Sequence, residues 1–105
     1  MSALVVLATF PDIVTARRIV RTLVEERLIA CGNLVPGVES IYRWKGEVET
    51  GAEVLGILKT EDSRFDQLKV RLRELHPYEV PECIALPVAD GLPDYLRWIG
   101  ESVAT

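Results

Sequence analysis

The chain has 105 residues, of which 49% are hydrophobic and 27% charged, and its formal net charge is −4. This composition excludes a disordered chain, and the length leaves room for a single domain spanning residues 1–105. No apolar run approaches the ~20 residues that a membrane span needs. The sequence pI near 5.0 argues against nucleic acid as a partner, and a mean hydropathy of +0.18 predicts that another subunit covers part of the surface.

The first third of the chain predicts a strand followed by a helix. The apolar run at residues 4–8 is typical of a central strand. Apolar residues then recur with helical spacing, which predicts a helix over residues 13–27, with Thr9 or Asp12 as its cap. No basic residue precedes the N-terminal apolar stretch, so a signal peptide is not expected and the predicted location is the cytoplasm.

The middle of the chain predicts a long β-hairpin. Residues 30–35 and 38–44 read as one strand, with a bulge or bend at the Pro36-Gly37 pair between them. The Lys45-Gly46 pair forms the predicted turn, and residues 47–60 return as the partner strand.

The remainder predicts a helix, a strand and a final helix. The first of these begins within residues 60–63 and ends at His76-Pro77, because the residue before a proline avoids the helical conformation. A strand over residues 84–88 and a helix over residues 93–103 follow. Three side chains of the final helix are predicted to point inwards: Tyr95, Leu96 and Ile99. The order is the α+β, ferredoxin-like β-α-β-β-α-β pattern plus a C-terminal helix, with predicted sheet order 4-1-3-2.

The length of the hairpin predicts an oligomer. Fourteen extended residues can reach about 46 Å, whereas a domain of this size is roughly 33 Å across. The arm, with its apolar Ile41, Tyr42 and Trp44, should therefore overhang its own domain and pair with a neighbouring subunit. The alternative is a strand that ends early at Gly51.

The two cysteines are predicted to be reduced. Cys31 falls on the second strand and Cys83 just before the fourth, at opposite edges of the predicted sheet, so an intrachain disulfide is geometrically excluded. Neither cysteine has basic neighbours that would activate it, and no glycine-rich phosphate loop or nucleophile elbow is present. The sequence therefore predicts a protein that is not an enzyme.

The single histidine lies in the segment with the best metal-ligand pattern. Polyproline-like backbone over residues 76–82 would place His76, Glu79 and Glu82 on one face, although about 9 Å apart in succession. One imidazole and two carboxylates can bind a divalent ion if further ligands come from elsewhere. The alternative is that His76 is a structural residue at the end of its helix.

Several longer stretches together resemble one family. They include residues 28–33, residues 40–47, the segment from His76 to Glu82 and residues 95–99. In order along nearly the whole chain, they resemble the CutA1 family of divalent-cation tolerance proteins. The resemblance implies a homotrimer similar in architecture to the PII signalling proteins. It further implies copper or other divalent cations as ligands, and no enzyme activity.

The resemblance carries over only part of a copper site. The positions that match the family's proposed ligands are Ala8, Leu75 and His76, so only the histidine is retained. Either the metal site is rebuilt around His76 with Glu79, Glu82 or Cys31, or metal binding is weak and adventitious. The alternative function is a PII-like signalling or ligand-sensing trimer, with Trp44, Lys59, Tyr78 and Glu82 lining a cleft between subunits.

Overall fold

Seven elements follow one another in the order β-α-β-β-α-β-α in a computed structural model, which describes residues 2–105. They are β1 (Ala3–Phe10), α1 (Ile13–Glu25), β2 (Cys31–Trp44), β3 (Glu47–Glu61), α2 (Asp62–Leu75), β4 (Ile84–Pro87) and α3 (Pro93–Val103). Every predicted element is present, and Met1 of the predicted domain lies outside the described residues. Within residues 2–105, no helix is long and apolar enough to cross a membrane.

The four strands form one antiparallel sheet with the order β2-β3-β1-β4, which is the predicted order read from the other edge. Cys31 begins one edge strand and Cys83 precedes the other, and both are free thiols. Both side chains are half-buried. Burial raises the pKa of the Cys83 thiol, which disfavours the reactive thiolate.

The long hairpin is confirmed. Lys45 and Gly46 have φ of 51° and 84°, the two positive values that a type I′ turn requires. β3 continues through Gly51 without a break, and the molecule extends 44 Å along its longest axis against 25 and 22 Å along the others. The predicted bulge is also present, because the pairing of β2 with β3 shifts register between Val35 and Val38.

Local signals fix the helix ends. The Asp12 side chain accepts a hydrogen bond from the Thr15 backbone N–H at 2.7 Å, and this bond lowers the pKa of the Asp12 carboxyl. α1 stops at Glu25, earlier than predicted, and Arg27 just beyond it has a φ of 60°. α2 ends as predicted because His76, before a proline, is extended.

One face of the sheet packs against α1 and α2 and holds the main core. Alternate residues of the two central strands point into it, as the period of a strand requires. The core joins these strand residues to apolar residues of both helices: Val6, Ala8, Phe10, Val54 and Leu58 with Ala16, Ile19, Leu23, Leu68 and Leu72. Thr60 is buried on the same face, and its hydroxyl donates to the Leu28 carbonyl oxygen at 2.7 Å.

The opposite face of the sheet, here called the open face, is apolar as well. Its apolar side chains alternate with the core residues and pair across the strands: Val5, Leu7, Val35, Leu55, Ile57, Ile84 and Leu86. α3 packs Ile99 and Val103 with Ala3 and Ala30 at one end of the open face. Val35, Ile84 and Leu86 retain 42%, 53% and 49% exposure, so the described residues leave much of this face uncovered.

One orientation predicted for α3 is wrong. Tyr95 was expected to point inwards with Leu96 and Ile99, yet its side chain is 44% exposed. Only Ile99 of these three is fully buried, because α3 covers one corner of the sheet and turns a single narrow stripe towards it. The Tyr95 hydroxyl instead lies 3.7 Å from the Cys31 sulfur.

Candidate functional site

A groove runs along the hairpin and is bordered by the segment between α2 and β4. Its volume is about 700 Å³. It is lined by residues of β1, β2, β3 and the segment that follows α2: Thr9, Ser40, Ile41, Tyr42, Trp44, Glu53, Pro77, Tyr78, Glu79, Val80 and Glu82. This concave surface of polar and aromatic groups is a candidate ligand site.

The pairing of β2 with β3 places the groove on the open side of the sheet. Tyr42 lies opposite Glu49, and Trp44 lies opposite Glu47. Directly opposed residues of an antiparallel pair share a face, and alternate residues along β3 do so too. The two aromatic side chains therefore stand on the same face as Glu53, two strand periods along from Glu49.

A hydrogen bond joins the two walls of the groove. The Tyr78 hydroxyl donates to Oε2 of Glu53 at 2.6 Å. Burial, with the hydrogen bond and the negative charge of Glu53, raises the pKa of Tyr78, so the phenol stays neutral and remains a donor. Glu53 could not be identified from the sequence, because only the strand register brings it to Tyr78, 25 positions away.

His76 lies behind this wall and is buried. Its Nε2 is 2.7 Å from the Thr9 carbonyl oxygen, and its Nδ1 accepts from the Tyr78 backbone N–H at 3.1 Å. A carbonyl can only accept and an N–H can only donate, so these partners assign a neutral ring with its proton on Nε2. The ring also stacks on Phe10, with the two centroids 5.3 Å apart.

The subunit does not bring the four predicted metal ligands together. Glu79 and Glu82 line the groove with exposed side chains, whereas both nitrogens of His76 are engaged behind it. Cys31 lies at the start of β2, in contact with Tyr95. Across residues 2–105, no three His, Cys, Asp or Glu side chains converge in a way that could hold a metal ion. The local spacing could not show this, because His76 faces the core and Cys31 begins an edge strand.

The predicted cleft residues divide between two places. Trp44, Tyr78 and Glu82 do line one groove. Lys59 does not, because it lies further along β3, opposite Cys31, and its ammonium group donates to Oδ1 of Asn33. Ser40 and Tyr42 also line the groove, and the sequence does not indicate this because the face on which they lie depends on the bulge in β2.

The charges in the groove have one sign. Three carboxylates line it, Glu53, Glu79 and Glu82, and none of the lining residues is basic. Outside the lining, the Lys45 ammonium group stands 5.7 Å from the centroid of the Trp44 ring. The groove can therefore attract cations and repel anions.

Within residues 2–105, the architecture is that of a small α+β protein with one four-stranded antiparallel sheet and three helices. Residues 4–102 match the family described as CutA1 divalent ion tolerance protein. The chain belongs to this family.

Relatives from several kingdoms share the sequence and the fold. The divalent-cation tolerance protein CutA of Thermus thermophilus is 53% identical over 98 residues, which cover 93% of this chain and 95% of the relative. Human protein CutA is 48% identical over 91 residues, 87% of this chain but only 51% of its own length. The structure of the Thermus thermophilus protein superimposes with a TM-score of 0.95 at 51% identity, covering 97% of this chain and 99% of that one. For CutA1 from Oryza sativa the TM-score is 0.96 at 41% identity, with 99% and 95% covered.

Proposed function

We propose that this chain acts as a homotrimeric binding protein, not as an enzyme, and contributes to tolerance of copper or other divalent cations. Its membership of the divalent ion tolerance family supports the role. So does the name of the Thermus thermophilus relative, a divalent-cation tolerance protein with 53% identity. The proposal has two parts, assembly and metal binding, which depend on different features of the subunit.

The uncovered apolar side chains of the open face are the observation that best supports assembly. Seven apolar side chains lie on it, and the subunit covers them only at the end where α3 packs. A contiguous apolar surface of this kind is typical of a protein–protein interface. Residues 47–53 of β3 pair with β2 but not with β1, so the hairpin has free strand edges, and the sheet ends in two edge strands that can pair with them. A closed ring of three copies, as the family resemblance predicts, would cover all of these surfaces.

The carboxylates of the groove support the metal binding. Glu79 and Glu82 are exposed and unpaired by any ion pair within residues 2–105, and carboxylate oxygens bind hard divalent cations. A copper site would add imidazole or thiolate ligands, for which Cys31 and His76 are the candidates. His76 can serve only by giving up one of its two hydrogen bonds. We therefore propose a site completed between subunits.

Metal titration of the purified protein tests the proposal. Light scattering should give three times the subunit mass of 11.7 kDa. Calorimetric titration with Cu²⁺ and Mg²⁺ should show saturable binding that the double variant Glu79→Gln/Glu82→Gln loses. Glu101→Gln removes one exposed carboxylate of α3 and should bind as the parent protein does.

Two results would contradict the proposal. Equal binding by the parent protein and the double variant would remove the groove carboxylates from the metal site. Equal weak binding by the parent protein, Cys31→Ser and His76→Asn would exclude the thiol and the imidazole as copper ligands.

A further inference from the structure

The groove is larger than a metal ion needs. Its volume of about 700 Å³ falls within the range of pockets that hold small organic molecules. Metal coordination needs several donor atoms within about 2.6 Å of one point. Within the described residues no three such side chains converge. The carboxylates are instead spread along the lining, an arrangement that suits a cation of several atoms.

Aromatic rings make up much of the remaining wall. Tyr42, Trp44 and Tyr78 line the groove with the three carboxylates. The faces of such rings attract ammonium groups, most strongly when water is partly excluded. The Trp44 ring already has one alkylammonium group beside it, that of Lys45, at 5.7 Å from its centroid. Rings and carboxylates therefore attract the same kind of ligand.

A hydrogen bond holds the Glu53 carboxylate in place beside these rings. The Tyr78 hydroxyl occupies its Oε2 at 2.6 Å, and Tyr78 is itself fixed by its backbone bond to His76. Glu53 is half-buried, so its attraction for a nearby cation is screened less than that of a fully exposed carboxylate. Its Oε1 is not used by this bond.

We infer that the groove binds an organic ammonium ion. Carboxylates of Glu53, Glu79 and Glu82 balance its charge, and Tyr42 and Trp44 contact its carbon-bearing surface. This goes beyond cation tolerance, because it assigns the groove a ligand that is not a metal ion. The competing occupant is a lysine or arginine of a neighbouring copy, which would close the groove to solutes.

The assembled protein, labelled with ¹⁵N, can be titrated with choline as the probe. Its neutral isostere 3,3-dimethylbutan-1-ol has the same shape without the charge. The indole N–H signal of Trp44 should shift saturably with choline and not with the isostere. Trp98, on α3 and outside the groove, is the internal control and should not shift.

Variants of the groove carboxylates test whether their negative charge attracts choline. Glu53→Gln/Glu82→Gln should weaken choline binding by about tenfold, since it removes two weak ion pairs while the amide at position 53 can still accept from Tyr78. Glu101→Gln should leave the affinity unchanged. Raising the salt from 0.05 to 0.5 M should weaken binding to the parent protein.

Three outcomes would overturn the inference: no shift of Trp44, equal binding of the isostere, or equal affinity of the double variant. The absence of any shift would point to a side chain of a neighbouring copy in the groove. Failure of the metal proposal alone gives a different result. Choline would then shift the Trp44 signal, while Cu²⁺ and Mg²⁺ would give no heat of binding.

Discussion

The His76 imidazole joins parts of the chain that are far apart in sequence. It bonds the Thr9 carbonyl 67 residues away, accepts from the Tyr78 backbone and stacks on Phe10. Through Tyr78 it also fixes the hydroxyl that meets Glu53. These contacts attach the segment after α2 to the end of β1. They make His76 a positioning residue for the groove.

Replacing His76 should destabilise the metal-free protein. His76→Ala leaves a carbonyl and an N–H without partners and removes a stacked ring, which should cost about 2–4 kcal/mol of unfolding free energy. His76→Phe keeps the ring and should cost less. Guanidinium unfolding with EDTA, at one protein concentration, measures both. A metal-free His76→Ala protein as stable as the parent would show that the ring has no structural role.

The sequence could single out His76 but could not decide its role. Both interpretations, metal ligand and structural residue at a helix end, rest on local spacing. The choice between them depends on Thr9 and Tyr78, and the first of these contacts exists only after the sheet has formed. Glu53 could not be found for the same reason, since nothing near it in the sequence indicates a phenol partner.

At the scale of the element, β3 passes through three environments. Glu47 to Ala52 belongs to the projecting hairpin, Glu53 lines the groove, and residues 54–61 cross the centre of the sheet. Gly56 lies in the central part, and a Cβ built on it would be 2.8 Å from Cε2 of Phe10. Gly51 lies in the hairpin, where the Tyr42 hydroxyl oxygen would be 3.8 Å from such a Cβ, an ordinary van der Waals distance.

Replacement by alanine should therefore have opposite effects on stability at Gly51 and Gly56 of β3. Gly56→Ala forces the buried Phe10 ring to move and should cost about 1–3 kcal/mol. Gly51→Ala meets no clash and restricts the unfolded chain, so its stability should match or slightly exceed that of the parent. Thermal and denaturant unfolding of the pair measures the difference. Equal stability of the two variants would mean that the core around Phe10 adapts without cost.

Element boundaries were predictable wherever a local signal marks them. The turn at Lys45-Gly46, the bulge at Pro36-Gly37 and the stop at His76-Pro77 all lie where the sequence indicates. The end of α1 was predicted near Arg27 and lies at Glu25; its exact position was not marked because arginine, unlike glycine, gives no sign of a positive φ. The orientation of Tyr95 was missed because it depends on how α3 meets the corner of the sheet.

At the scale of the whole molecule, uncovered apolar side chains lie in two places. The sequence predicted them on the hairpin, where Ile41 and Val48 are indeed 68% and 65% exposed. The structure adds the open face. The alternation in residues 53–59 is visible in the sequence, but apolar residues occur in both of the alternating sets. Only the positions of α1 and α2 decide which set is covered.

A charge on the open face should disrupt assembly, whereas the same charge on the far side should not. Val35 lies on the open face and Val70 on the outer surface of α2, with exposures of 42% and 63%. Burying an unpaired carboxylate at an interface costs several kcal/mol. Val35→Glu should therefore lower the mass measured by light scattering, while Val70→Glu should keep that of the parent. An unchanged mass for Val35→Glu would exclude this region from the interface.

The register shift between Val35 and Val38 marks one extra residue in β2, placed just before the stretch that lines the groove. Before the shift, odd-numbered residues of β2 share a face with Leu55; after it, even-numbered residues such as Tyr42 share that face. The turn at Lys45-Gly46 and the pairs beyond the bulge hold Tyr42 and Trp44 in register, so loss of the extra residue would leave the same side chains facing the groove. It would instead remove the local bend and twist that a bulge imposes on its strand. Small insertions or deletions at this point can therefore redirect the whole hairpin without changing the chemistry of the groove wall.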